Sequence, residues 1–132
     1  MNANKSLTST EYEQRWKECD AVLDGCTSKT GGSAALNRVL LETTDLVTLN
    51  IYLALMVDFS IPVTDPPLQN TLRGLVASPH QSVFLGALYC LLRCGGLTTQ
   101  EARDLKELVV PDHRSLFEAC WRRFVGEGVI KE

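Results

Sequence analysis

Apolar residues recur at helical spacing along most of the chain. Tyr12, Trp16, Cys19, Leu23 and Cys26 follow one another at steps of three or four, which sets them on one face of a helix. Glu11, Glu13, Gln14, Lys17, Glu18 and Asp24 fall on the other face, so this first helix has an acidic, solvated side. Thr10 and Glu13 stand at capping-box spacing and are expected to open it, leaving residues 1–9 as a flexible tail. The turn-rich stretch within Gly25–Ser33 then reads as a linker.

Ser33 is placed to cap a second helix carrying Leu36, Val39, Leu40 and Leu41. Thr43, Thr44 and Asp45 interrupt the pattern, and Asp45 is expected to cap a third helix from Leu46 to about Phe59. A single bent helix through 34–58 is the alternative. Val47–Leu53 is rich in strand formers, but Leu, Ala and Met continue the run beyond the length of a typical strand, which favours helix.

Pro62, Pro66 and Pro67 mark a break, and Asp65–Pro66 supplies the start of a helix holding Leu68, Leu72, Leu75 and Val76. Ser78–Pro79 repeats that signal before Val83, Phe84, Ala87, Leu88, Leu91 and Leu92, and Gly95–Gly96 stops the helix. Thr98 and Glu101 form the clearest capping box, with Leu97 and Ala102 as its staple. The helix at Gln100–Val109 ends at Pro111. Asp112 is expected to cap the last helix, which carries Leu116, Phe117, Cys120, Trp121, Phe124 and Val125. Trp16, Trp121 and Phe124 are expected in the core. The sum is one all-α domain over 10–132, with six or seven short antiparallel helices in a compact bundle or short solenoid-like array.

Composition changes this picture little. The chain has 132 residues, 45% hydrophobic and 22% charged, with a formal net charge of −3. That size suits a single domain able to fold without metal or disulfide. No polybasic run is present, so the electrostatic footprint of a nucleic-acid or membrane-surface binder is missing. The apolar runs Ile51–Val57 and Val83–Leu92 fall short of the ~20 residues that span a bilayer. A polar N-terminus and five cysteines, an odd number, point to a soluble protein with reduced thiols in the cytoplasm or another reducing intracellular compartment.

Candidate chemistry is sparse. His80 and His113 each follow a proline-containing helix start and read as exposed first-turn residues. Cys90 and Cys94 share a helix face, but a metal would need two further ligands, available only if Cys120 and His113 converge on them. A redox or metal role there ranks third among the functional readings. Neither Gly31–Gly32 nor Gly95–Gly96 carries the Gly-Lys-Ser/Thr of a phosphate loop. No catalytic residue, metal or cofactor is therefore expected, and the chain reads as a non-enzyme.

The informative feature is a charge-poor middle. Between Leu46 and Leu97 the charged residues are Asp58, Asp65, Arg73 and Arg93. Small monomers normally give each surface helix a charged face. The Leu46–Phe59 helix reads as buried nearly all round. On the next long helix, Ser82, Gly86, Cys90 and Cys94 recur every four residues as a ridge of small side chains that permits close backbone approach. That ridge is either wrapped by the domain's own helices or packed against a partner. The second reading assigns Ser82, Gly86, Tyr89, Cys90 and Arg93 to a surface for another protein chain or a second copy. The function expected is a non-enzymatic interaction module: a helical adaptor, a chaperone-like protein or a complex subunit. The alternative is a DNA-binding regulator using a helix-turn-helix-like pair at 99–125, with His113, Arg114, Arg122 and Arg123 as contacts. Against it, Arg122 and Arg123 lie at the C-terminal end of the second helix, whereas base contacts come from the N-terminal part.

Overall fold

In the computed structural model, which describes residues 8–27, 32–95 and 97–131, local capping chemistry sets most helix boundaries. Helix α1 (Ser9–Thr27) opens with a capping box at Thr8 and Glu11, whose side chains and backbone amides exchange hydrogen bonds of 3.1 Å. The expected box at Thr10 and Glu13 is thus displaced by the same motif two residues earlier, which lengthens the helix. The tail expectation falls mostly on residues outside the described ones, but Ser9 is helical. At its other end α1 runs through Gly25 to Thr27, shortening the expected linker, of which residues 28–31 lie outside the described ones.

Two helices, not one bent helix, fill 34–58: α2 (Gly32–Glu42) and α3 (Leu46–Asp58). Asp45 makes the break, because its Oδ2 accepts from the Thr48 amide at 3.1 Å and the Thr48 hydroxyl at 2.6 Å. Helix α4 (Pro66–Val76) begins on its proline pair. Helix α5 (Gln81–Cys94) starts two residues beyond the Ser78–Pro79 signal, since the Ser78 hydroxyl takes the His80 amide and delays the first helical turn.

The Thr98–Glu101 box opens α6 (Thr99–Asp104) as expected, but the helix then tightens into a 3-10 turn at Leu105–Leu108. A second 3-10 turn, Pro111–His113, precedes α7 (Arg114–Gly126), so His113 and not Asp112 is its N-terminal boundary residue.

The described residues hold seven α-helices and no strand. Residue pairings give their layout. Arg15 reaches Asp45 and Thr48 near the starts of α1 and α3, and Leu23 shares a recess with Phe59 and Ile61 near their ends. Asn50 bonds Ser82 early in α3 and α5, and the Val63 amide bonds the Cys94 carbonyl past their ends. His113 stacks on Phe84, whereas Phe124 meets Tyr89, repeating the pattern for α5 and α7. Helices α1, α3, α5 and α7 therefore run side by side in one direction. Helices α2 and α4 must return behind them, and α2 packs on α4, as α4 does on the first 3-10 turn. Helices consecutive in the chain alternate in direction, but lateral neighbours are parallel. This two-layer array is the solenoid-like form of the expected fold.

The core lies between the layers. Leu36, Leu68 and Leu72 from the back share one core cluster with Leu23, Leu53, Met56, Phe84 and Leu88 from the front, all at most 2% exposed. Each such side chain stabilises the fold by roughly 1.5–3 kcal/mol. No polar or charged residue is buried among the described residues. Helix α3 is buried on most sides from Leu49 to Met56, close to the expectation of burial nearly all round, but Leu46 and Val47 in its first turn face solvent.

Candidate functional site

The front layer carries an open groove of about 810 Å³ along the seam between α3 and α5. Leu53 and Ala54 of α3 and Gly86 of α5 form its floor. Tyr12 and Trp16 of α1 stand on one side, and Leu85 and Tyr89 on the other, with Val129 beyond α7. Asn50 and Ser82 close one end, and Asp58, Ser60 and Arg93 the other.

Gly86 is the residue that brings the two helices together. A Cβ there would sit 2.9 Å from Leu53 Cβ and 3.0 Å from Leu53 Cδ1, closer than side-chain atoms tolerate. One turn on, the Cys90 thiol donates to the Leu53 carbonyl at 3.5 Å. One turn back, Asn50 Nδ2 donates to Ser82 Oγ at 3.1 Å. The backbone that the small-residue ridge admits is thus α3 of the same chain.

The residues assigned from sequence to a partner surface accordingly divide. Ser82, Gly86, Tyr89 and Arg93 line the groove. Cys90 does not: it is 0% exposed beneath the floor, and burial pushes its thiol up from the ordinary range. Tyr89 is half-buried, its ring edge-on to Phe124 with centroids 5.1 Å apart. Burial and the adjacent Cys120 thiol raise its phenol. Arg93 lies over the Phe124 ring at 5.0 Å and pairs with Glu127 at 2.8 Å.

Sequence reasoning missed the α1 and α3 contributions. Tyr12 and Trp16 belong to the helical stripe that marks the core, yet Tyr12 is 44% exposed and Trp16 only partly covered. Ala54, Val57 and Leu85 carry no local signal beyond an apolar residue on a helix. Their role depends on which helices lie beside them.

The residues of the nucleic-acid alternative are partly engaged within the fold. His113 is half-buried, with Nε2 3.0 Å from the Pro79 carbonyl and its ring stacked on Phe84 at 5.0 Å, rather than standing exposed in a first turn. Arg123 Nε donates to Glu127 at 3.0 Å, sharing the carboxylate that Arg93 also holds. These hydrogen bonds hold the Glu127 carboxyl below the usual range. Arg114 and Arg122 are exposed. The expected ten-residue first helix is six residues followed by a 3-10 turn, so the pair departs from helix-turn-helix geometry.

All five cysteines are unbridged. Cys19 and Cys120 sit beside Tyr52 and Tyr89, and burial raises both thiols, as it does Cys94. Among the described residues no three or more His, Cys, Asp or Glu side chains gather to hold a metal ion, and no helix is long and apolar enough to cross a membrane. No family model, curated protein or solved structure matches this chain.

Proposed function

We propose that this chain is a non-enzymatic protein–protein interaction module, a helical adaptor or a subunit of a larger assembly, and that the α3–α5 groove is its docking surface. The carrying observation is an open apolar groove between aromatic walls. Apolar anchors desolvate well against Leu53, Ala54, Val57 and Gly86, and aromatic side chains such as Trp16 and Tyr89 are those enriched in interface cores. Of its lining polar groups, Asn50 is bonded to Ser82 and Arg93 is paired with Glu127.

The nucleic-acid reading of α7 has weaker support. It retains Arg114 and Arg122 as open contacts, while His113 is held against Pro79 and Arg123 pairs with Glu127 at the surface. Photo-crosslinking in the native cells separates the two readings. A photoreactive residue at Leu85 should give protein adducts of defined mass, and one at Arg122 should not. Salt-sensitive nucleic-acid adducts from position 122, with none from position 85, would contradict the docking reading.

A further inference from the structure

We infer that the element docking in this groove is a basic amphipathic helix of a partner protein; this rests on the docking reading above and adds the chemistry of the partner. Three observations carry it. The described residues offer no strand, hence no sheet edge to receive an extended peptide, whereas a helix satisfies its own backbone and needs only an apolar trough. The trough is straight because α3 and α5 are parallel. From Asn50 to Asp58 on one side and Ser82 to Arg93 on the other, it runs roughly 12–17 Å at the helical rise, two to three turns of a docked helix. Ala54 and Gly86 leave its floor low, so large aliphatic side chains have somewhere to go.

Charge supplies the rest. The cation in the lining, Arg93, is already paired with Glu127, whereas the Asp58 carboxylate has no ion-pair partner among the described residues. Beyond Asp58, the half-exposed Phe59 leads into a second recess with Ile61 and Pro62, flanked by Asp20 and Asp24 of α1. Glu13 and Lys17 lie together on that side of α1, and neither lines the groove or the recess. The lining of groove and recess together thus carries three carboxylates, Asp20, Asp24 and Asp58, against the one guanidinium of Arg93. A helix with an aliphatic stripe and lysine or arginine on the flank facing α1 complements it, and an acidic helix is repelled.

The test uses the full chain, labelled with nitrogen-15, and two synthetic helical peptides of about 14 residues. They share one leucine stripe, flanked in one by lysine and in the other by glutamate. The lysine peptide should shift the amides of Ala54 and Gly86 and the Trp16 indole. Its affinity should fall about three- to tenfold in the Asp20→Asn, Asp58→Asn double variant, and also fall with added salt. The glutamate peptide should bind more weakly than the lysine peptide, and Ala54→Arg should block both. If the glutamate peptide takes the groove as tightly, the docking reading stands and the charge inference is wrong. Shifts from the lysine peptide scattered over the acidic face of α1, or no shifts from either peptide, would overturn the inference as well. The docking reading itself is decided by the crosslinks from position 85.

Discussion

The joints that α5 makes with its two lateral neighbours are built in opposite ways. Against α3 it presents Gly86 and Cys90, so that Leu53 packs directly on helix backbone. Against α7 it presents Phe84, Tyr89 and Arg93, which meet His113, Phe124 and Glu127. Small side chains bring two helices together but leave nothing to fill the valley above them, so the α3–α5 seam stays open as a groove. Large aromatic side chains hold two helices apart and fill the space between, so the α5–α7 seam is closed. The position of the groove follows from that difference in side-chain size.

Removing the aromatic filler should have the largest effect. Phe124 is fully buried, and Phe124→Ala should lower stability by about 3–5 kcal/mol, read from urea unfolding. A loss below about 1 kcal/mol would show that α7 is not packed through this ring. The opposite change at the other joint comes next. Gly86→Leu should cost about 1–3 kcal/mol, because its Cβ meets Leu53 Cβ and the helices must separate. An unchanged melting temperature would mean that α3 and α5 are not in contact there.

The ends of α3 and α7 sharpen the comparison further. Both close with an amide bonded five residues back, Ile61 to Met56 at 3.0 Å and Val129 to Phe124 at 2.9 Å, the signature of a left-handed terminal residue. At α7 that residue is Gly128 with φ 79°, and at α3 it is Ser60 with φ 49°. Ser60→Gly should therefore stabilise the fold by up to about 1 kcal/mol, and Gly128→Ala should destabilise it by a similar amount. Equal and opposite shifts in urea midpoint are expected. Destabilisation by Ser60→Gly would remove the left-handed turn from the account of α3.

The smallest effect appears only in alkali. Burial and the Cys19 thiol push the Tyr52 phenol up to about 12 from an ordinary 10. A raised acid favours the folded state while neutral, so this contribution is complete below pH 10 and is lost as pH rises toward 12. Absorbance titration at alkaline pH should show late ionisation of both Tyr52 and Tyr89, and Tyr52→Phe should remove the component near 12. Ionisation of Tyr52 at the ordinary value would contradict its burial against α1.

Much of the fold was legible because its signals are local. Asp45 and the Thr98–Glu101 box mark helix starts by hydrogen bonds within four residues, and the apolar stripes fix what faces inward. The Thr8–Glu11 start was misplaced because Thr10–Glu13 offers the same spacing, and two competing boxes differ only in how far the helix can extend. The groove was half legible. Its α5 wall could be read from the small-residue recurrence, but the same recurrence fits a partner or a neighbouring helix equally well. Only the placement of Leu53 beneath Gly86 decides that Cys90 faces inward. Tyr12 and Trp16 were hidden within a core stripe, because periodicity gives the direction a residue faces and not how much of it a neighbour covers.

Crosslinking yield from position 85, compared between the native groove and Ala54→Arg, tests the docking surface most directly. Ala54 is half-buried on the groove floor of α3, and arginine is a good helix former, so the fold and its melting temperature should be little changed. The adducts formed from position 85 in the otherwise native chain should disappear in Ala54→Arg. Adducts that persist unchanged in the arginine variant, or a native groove that yields none, would contradict the assignment of this surface to a partner.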